Sequence, residues 1–380
     1  MFGISKIEKF IDEKDNLSLE DTSGRVKIDK SNSKININEF VSGIPIAFKG
    51  KLNDKGAFIV DDFLFYQPEN DLTHQKNDDT PMDIETNSSN QNKNLILFIS
   101  NLRIGKPNEN ENEDGKLSVA RTMLVDFIQN NNLNEILGHI SNRIKRVIFL
   151  GSTAYVNQKI EELEKGSFIK AEEYKKQLKE IINNYTLVDK YLKLISSYVH
   201  VDLINSIEGN DEVYFPQNGN SQLLFLENMI NINAKTLNLV SNPYHFEIYS
   251  HKTKSKKSFL GTSGENINSI LQYTDINDAL VAMQKTIEWG HLAPQAPDTL
   301  RIYPYSECDP LLLTKIPDIY FVSGKNVLNK KIINYNKKEV LLIELPDFSS
   351  NCSGVIYNID DDTLNEINFN QKLSFPKNRK

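Results

Sequence analysis

The chain has 380 residues, 39% hydrophobic and 25% charged, with a formal net charge of −7 and a pI near 5.6. That apolar content suffices for one large core or two smaller ones and excludes a disordered chain, while the acidic balance excludes a global cationic field for gripping a phosphate backbone. Cys308 and Cys352 support neither a disulfide framework nor a four-thiolate zinc site, so a reducing compartment is expected.

No run approaches the roughly 18 apolar residues of a membrane span. Met1–Lys51 lacks the order of a signal peptide, so a soluble chain with no export route is expected. The first segment, Met1–Gln67, reads as short strands with turns. Asn16–Glu20 and Arg25–Asp29 flank a turn containing Gly24, and Ile44–Lys51 and Ala57–Phe65 flank another containing Gly56. Turn residues between β-rich runs predict hairpins, and a small antiparallel barrel over 1–67. From Pro68 to Asn94 the sequence is polar and poor in aromatics, which predicts a disordered linker over 68–94. Asparagine clusters at Asn87–Asn94 and Asn108–Asn112 read as loops.

The remainder, 95–380, alternates strands and helices. Leu95–Ile99, Val147–Leu150 and Val199–Ile204 are apolar runs of strand length, and Leu117–Gln129 has helical periodicity. Asn157–Asn183 reads as a long polar helix, followed by a second helix with the stripe Leu187, Val188, Tyr191, Leu192 and Ile195. Ile276, Leu280, Met283 and Ile287 mark another helix, with Asp275 as its expected cap. Ile319–Val322, Val340–Ile343 and Gly354–Ile359 are the later strands. Apolar strands covered on both faces and alternating with helices predict a mixed α/β sandwich.

In such folds ligands sit at the carboxyl ends of the strands. A two-metal phosphoesterase would place carboxylates and imidazoles there. The first strand instead leads into Asn101 and Arg103; an amide is a feeble ligand and a guanidinium cannot coordinate. The next ends at Gly151-Ser152, the third runs into Ser206 to Gly209 with Ile207 and Glu208 out of ligand register, and the fourth into Gly324 to Val327 with Lys325 and Val327 where histidines would close a site. None of the six histidines, His74, His139, His200, His245, His251 and His291, follows a strand end.

Gly261-Thr262-Ser263-Gly264-Glu265 approaches the nucleophile elbow G-x-S-x-G but has Glu265 where the last glycine is needed. With His291 as base, Ser263 could serve a serine hydrolase, against which stands a plain tight turn after the strand Lys257–Leu260. Trp289–Leu300 is punctuated by Pro294 and Pro297, which predicts a rigid extended segment, with His291 a buried hydrogen-bonding residue. Lys252, Lys254, Lys256, Lys257 and the tail Lys377, Arg379 and Lys380 lack interleaved aromatics and read as solvated turns and ends.

The stretches FVSGIPIAFKGKLNDKGAFIVDDFLF, LGTSGENI, HLAPQAPDTLRIYPY, DPLLL, IYFVSGKN and KKEVLLIELPDFS together resemble the B-subunits of eukaryotic replicative DNA polymerases, and among them the small subunits of polymerase delta. They extend from about Leu17 to Phe375. Gly261, Thr262, Ser263, Gly264, His291, Pro294, Pro297, Asp298, Pro346 and Asp347 are signature positions of that resemblance. It implies an oligonucleotide-binding (OB) fold joined to a calcineurin-like phosphoesterase domain without metal ligands; the lost D-x-H, G-D, G-N-H-D and G-H-x-H ligands fall on Asn101 and Arg103, on Gly151 and Ser152, on Ser206 to Gly209 and on Gly324 to Val327. It further implies a nuclear, non-catalytic scaffold without a cofactor. Its partners would be the cysteine-rich C-terminal domain of a catalytic subunit and a third subunit, with the sliding clamp reached indirectly and DNA weakly or indirectly. An active metallophosphoesterase is the alternative. Because only Met1–Asn16 precede the part that resembles the barrel, an incomplete barrel with an exposed edge is expected.

Overall fold

Two faces of the same strand enter two different cores, and this decides the architecture. In β5 (Leu95–Ser100) every residue is buried, yet Leu95, Leu97 and Ile99 enter one apolar cluster and Ile96 and Phe98 another. This is the period-two pattern of a strand covered on both sides. The structure, a computed structural model, describes residues 8–12, 14–31, 39–68, 93–106, 115–131, 133–156, 171–204, 206, 214–219, 236–250, 252–305, 307–324 and 327–370.

After β5 come α1 (Lys116–Gln129), α2 (Glu135–Asn142), β6 (Ile144–Leu150), α3 (Ala171–Ser196), β7 (His200–Ile204) and β8 (Leu237–Val240). The chain continues through β9 (Tyr244–Ser250), β10 (Ser255–Thr262), α4 (Glu265–Gln272), α5 (Ala279–Trp289), β11 (Ile319–Ser323), β12 (Asn329–Tyr335) and β13 (Lys338–Leu345). It ends with α6 (Phe348–Asn351), β14 (Ser353–Asn358) and β15 (Leu364–Asn368). The sequence-predicted elements are found at nearly these places, with four corrections, the first being that Trp289–Leu300 is not extended: Trp289 closes α5, and the chain then turns, the amides of Ala296 and Thr299 donating back to the carbonyls of Ala293 and Gln295.

Among the described residues α3 is one helix and not two, because no Gly or Pro interrupts 171–196; the earlier part of the expected helix, 157–170, lies outside the described residues. The cap of α5 is Asp278, whose Oδ1 accepts the Leu280 amide at 2.9 Å, and not Asp275. α2, α4, α6, β8, β9, β12 and β15 were not anticipated; α2, α4 and α6 are about two turns or shorter, and β9, although Tyr244, Phe246 and Ile248 alternate with polar residues, is an edge strand followed by a lysine-rich turn that reads as loop.

β5, β6, β7 and β8 pair in parallel, with β14 and β15 added antiparallel beyond β5, giving a six-stranded sheet ordered β15-β14-β5-β6-β7-β8. The five-stranded sheet β12-β13-β11-β10-β9 has a parallel centre, β13, β11 and β10, and antiparallel edges. The sheets pack face to face through Ile96, Phe98, Ile148, Phe259, Phe321 and Ile343, with the Phe98 and Phe321 rings 4.8 Å apart. α1 to α3 cover the outer face of the first sheet and α4 and α5 that of the second, so the large domain is an α/β/β/α sandwich.

The N-terminal part holds two hairpins, β1 (Ser18–Asp21) with β2 (Gly24–Lys27) and β3 (Ile46–Leu52) with β4 (Phe58–Phe65). Asn53 builds the second turn, its Oδ1 accepting the amides of Lys55 and Ala57 at 2.9 Å, and Gly56 supplies a φ of 77°. The hairpins meet at Ile28 and Phe58. Whatever would complete or leave open the barrel falls partly on 1–7 and 32–38, and most of the expected linker on 69–92, all outside the described residues.

Candidate functional site

The carboxyl ends of the central strands of both sheets converge. β5 delivers Ser100 and Asn101, β6 delivers Gly151 and Ser152, β11 delivers Ser323 and Gly324, and β13 delivers Pro346 and Asp347. Asn101 binds all three neighbouring ends. Its Nδ2 donates to Ser323 Oγ at 2.9 Å and, at 3.4 Å, to the Gly324 carbonyl and Asp347 Oδ2, while its Oδ1 accepts the Ser152 amide at 3.0 Å. The Ser100 and Ser323 hydroxyls lie 2.7 Å apart. Gly151 has φ 76°, and a Cβ there would stand 2.3 Å from Asn101 Oδ1, so only glycine lets the two loops approach.

Asn101 and Arg103 both have left-handed backbones, φ 54° and 45°. The turn is held by Arg121 of α1, which donates to the carbonyls of Leu102 and Arg103 at 2.5–3.2 Å; burial lowers its guanidinium to about 10. Asp347 caps α6, accepting the Ser349 hydroxyl at 2.7 Å and the Ser350 amide at 3.3 Å. Burial raises its pKa, and the positive charges of Arg103 and Lys106 oppose that rise.

This cluster offers one carboxylate, three hydroxyls and an amide. Among the described residues no group of three or more His, Cys, Asp or Glu is placed to hold a metal ion. Ile207, Glu208, Gly209 and Lys325 lie outside the described residues, and Val327 is exposed. Sequence reasoning found Asn101, Arg103 and Ser152, gave no role to Ser100 and Ser323 at the same strand ends, missed Arg121, and did not place Asp347 among the strand ends. Testing the end of β13 in the same way would have found it.

Ser263 and His291 are both buried, and each is engaged elsewhere. Ser263 Oγ donates to the Glu265 carboxylate and accepts from Asn242 Nδ2. His291 Nδ1 accepts the Ala293 amide at 3.1 Å, so the ring proton sits on Nε2 and faces Asp309 Oδ2 at 3.0 Å. Burial keeps the His291 pKa below its ordinary value, with Asp309 pulling the other way. Ser263 does stand on a strand-turn-helix corner, with Gly264 (φ 98°) as the N-cap of α4. That corner serves packing: Thr262 binds Asn266, Asn266 binds the Leu292 carbonyl, and a Cβ on Gly261 would meet the Phe321 ring. Pro294 is buried, and a Cβ on Gly43 of the N-terminal part would lie 1.9 Å from its carbonyl oxygen. Pro346 is buried too, whereas Pro297 and Asp298 are exposed. The two signature stretches therefore tie α4, α5 and the N-terminal part together.

The fold and cluster define a two-sheet α/β sandwich with a small N-terminal β unit, its strand ends closed by an amide, hydroxyls and an arginine. The sequence model for the B-subunits of DNA polymerases alpha and epsilon matches residues 96–327, and the chain belongs to that family. Residues 4–63 match the model for the DNA polymerase delta subunit OB-fold domain. The chain is 27% identical to the DNA polymerase delta small subunit of Oryza sativa over 365 residues, covering 96% of this chain and 76% of that protein. It is also 27% identical to those of Arabidopsis thaliana, covering 97% and 76%, and Saccharomyces cerevisiae, covering 92% and 69%. Among solved structures a novel archaeal phosphodiesterase superposes over 72% of this chain and 98% of its own, at 11% identity and a TM-score of 0.32.

Proposed function

We infer that the chain is a non-catalytic accessory subunit of a delta-class DNA polymerase, acting in DNA replication and repair in the nucleus. The observation that carries this reading is the collinear likeness to delta small subunits across the N-terminal β unit and the sandwich together. The site chemistry agrees: at the strand ends Asn101 spends its hydrogen bonds joining loops, and Arg103 brings a cation where a metal-binding site needs donors. The subunit needs no cofactor of its own for this role. Its partners are the cysteine-rich C-terminal domain of the catalytic subunit and a third subunit, through which it reaches the sliding clamp.

Co-expression of the full chain with the C-terminal domain of the catalytic subunit from the same source tests this. A stoichiometric complex that survives size exclusion is expected. Separate elution of the two chains at micromolar concentration would overturn the reading.

A further inference from the structure

Among the described residues β12 is the last strand of its sheet, and only β13 pairs with it. The hairpin is closed by Asn336 and Lys337, left-handed at φ 48° and 69°, a tight turn that fixes the register of the two strands. The backbone bonds of β12 run to β13, and its amides and carbonyls that point the other way are bonded to no described residue.

The two faces of the strand differ. On one, Ile333 is buried and Tyr335 half-buried in the core beneath α4 and α5, and Lys331 donates to Gln284 Oε1 of α5 at 2.8 Å. Glu288 of α5 is taken by Gln284 Nε2 at 2.7 Å and by Lys285 at 3.2 Å. On the other face Ile332 is 63% exposed, although its cross-strand partner Leu341 packs against the core between the sheets. β12 therefore overhangs that core, and Ile332 forms an apolar shelf beside the open edge. Lys330, on the same face, stands opposite Ile343; the carboxylates of β13, Glu339 and Glu344, fall opposite Asn334 and Asn329 toward the two ends.

An unpaired edge of seven residues is a liability, and lysines are one means of guarding it. A guard of one sign is also selective. It repels a second copy, whose edge would bring its own lysines, and it favours a strand that carries acids. A nucleic acid supplies the charge but no ladder of amides and carbonyls. We propose that β12 is extended by an antiparallel strand from another protein, an acidic segment whose apolar residue lies over Ile332 and whose next two residues are acids that meet Lys331 and Lys330, its backbone pairing with the open edge. This goes beyond the accessory-subunit reading and does not depend on it.

Fluorescence anisotropy tests this with a labelled, capped peptide of threonine, valine, isoleucine, two glutamates and threonine in that order, titrated with the full chain at low salt. Wild type is expected to bind. Lys330→Glu with Lys331→Glu should weaken binding about tenfold or more, because each reversal turns an attraction into a repulsion, and should bind a peptide with lysines in place of the glutamates better than wild type does. Ile332→Ala should weaken binding of the first peptide about threefold. Lys175→Glu with Lys176→Glu, exposed on α3, makes the same change of net charge and should alter it less than about twofold. N-methylation of alternate peptide amides should abolish binding in one of the two alternate sets and spare it in the other, since only one edge of the added strand meets β12. Circular dichroism melts confirm that each variant is folded. The proposal is overturned if wild type does not bind, if both N-methylated sets bind like the parent peptide, if the α3 pair weakens binding as much as the β12 pair, or if oligothymidylate competes as well as the unlabelled peptide. A dimer in sedimentation that the peptide dissolves would put a second copy on the edge and overturn it too.

Discussion

Asn101 shows what a strand end does when it carries no metal ligand. A left-handed backbone there favours asparagine over most residues, and one amide joins three loops from two sheets. Asn101→Ala removes those bonds, leaves the Ser152 amide and Asp347 without this partner and keeps the backbone strain. It should cost about 2–4 kcal/mol in urea unfolding. The substitution at this position was legible in sequence; its consequence was not, because Asp347 arrives 246 residues later and only the packing of the two sheets brings it near.

His291 allows a pH test. Its folded pKa lies below its unfolded value, so its contribution to stability is present above the ordinary 6.5 and is lost as pH falls through the folded pKa. Stability measured from pH 7 to pH 5 should therefore fall less steeply in His291→Gln than in wild type. His245, also lowered by burial, contributes equally to both proteins. Identical slopes would remove His291 from the account.

At the level of elements, a charge pair within the six-stranded sheet is the point to which the other sheet ties itself, through the Tyr244 hydroxyl. Arg146 on β6 donates to Asp202 on β7 at 2.6 Å; Asp202 is fully buried and also accepts from Tyr244 of β9 at 3.1 Å and Asn238 of β8 at 2.8 Å. A buried pair is a poor source of net stability, but removing one partner strands the other. Asp202→Ala should cost about 3–5 kcal/mol, while Asp202→Leu with Arg146→Met should cost far less in the same denaturation series. Equal losses would show that the pair is not a coupled unit. Sequence reading placed both strands yet could not see this pair. A charge in an apolar run of five residues signals a partner without saying which strand supplies it.

For the whole molecule, the consequential surface is the seam between the N-terminal part and the sandwich. Lys9 donates to the carbonyls of Leu271, Thr274 and Ile276 at 2.6–2.8 Å, gathering chain at the end of α4, and Phe10 stacks near Tyr273. Val41 enters the same core as α4 and α5, with Ile44 and Phe65 against it. Gly290, which ends α5, leaves no room for a Cβ beside Tyr66. None of this was visible in sequence, where the two parts read as separate units on either side of a polar stretch.

The seam makes the two parts one cooperative unit, and Gly43 is its most sensitive point. Its φ of 80° disfavours any side chain, and a Cβ would overlap the Pro294 carbonyl oxygen, a backbone atom that cannot swing aside. Gly43→Val should therefore separate the parts, withdrawing Val41, Ile44 and Phe65 from the core around α4 and α5 while the rest of that core stays packed. Calorimetry is expected to show one transition for both proteins, but in the variant it should lie lower and carry a smaller enthalpy, that of the sandwich alone, because the separated N-terminal hairpins are too small to be stable and melt without a transition of their own. Lys9→Met, which removes three hydrogen bonds but creates no clash, should lower the transition while keeping the wild-type enthalpy of the joined parts. A single unchanged transition in Gly43→Val would mean that the seam does not couple the two parts.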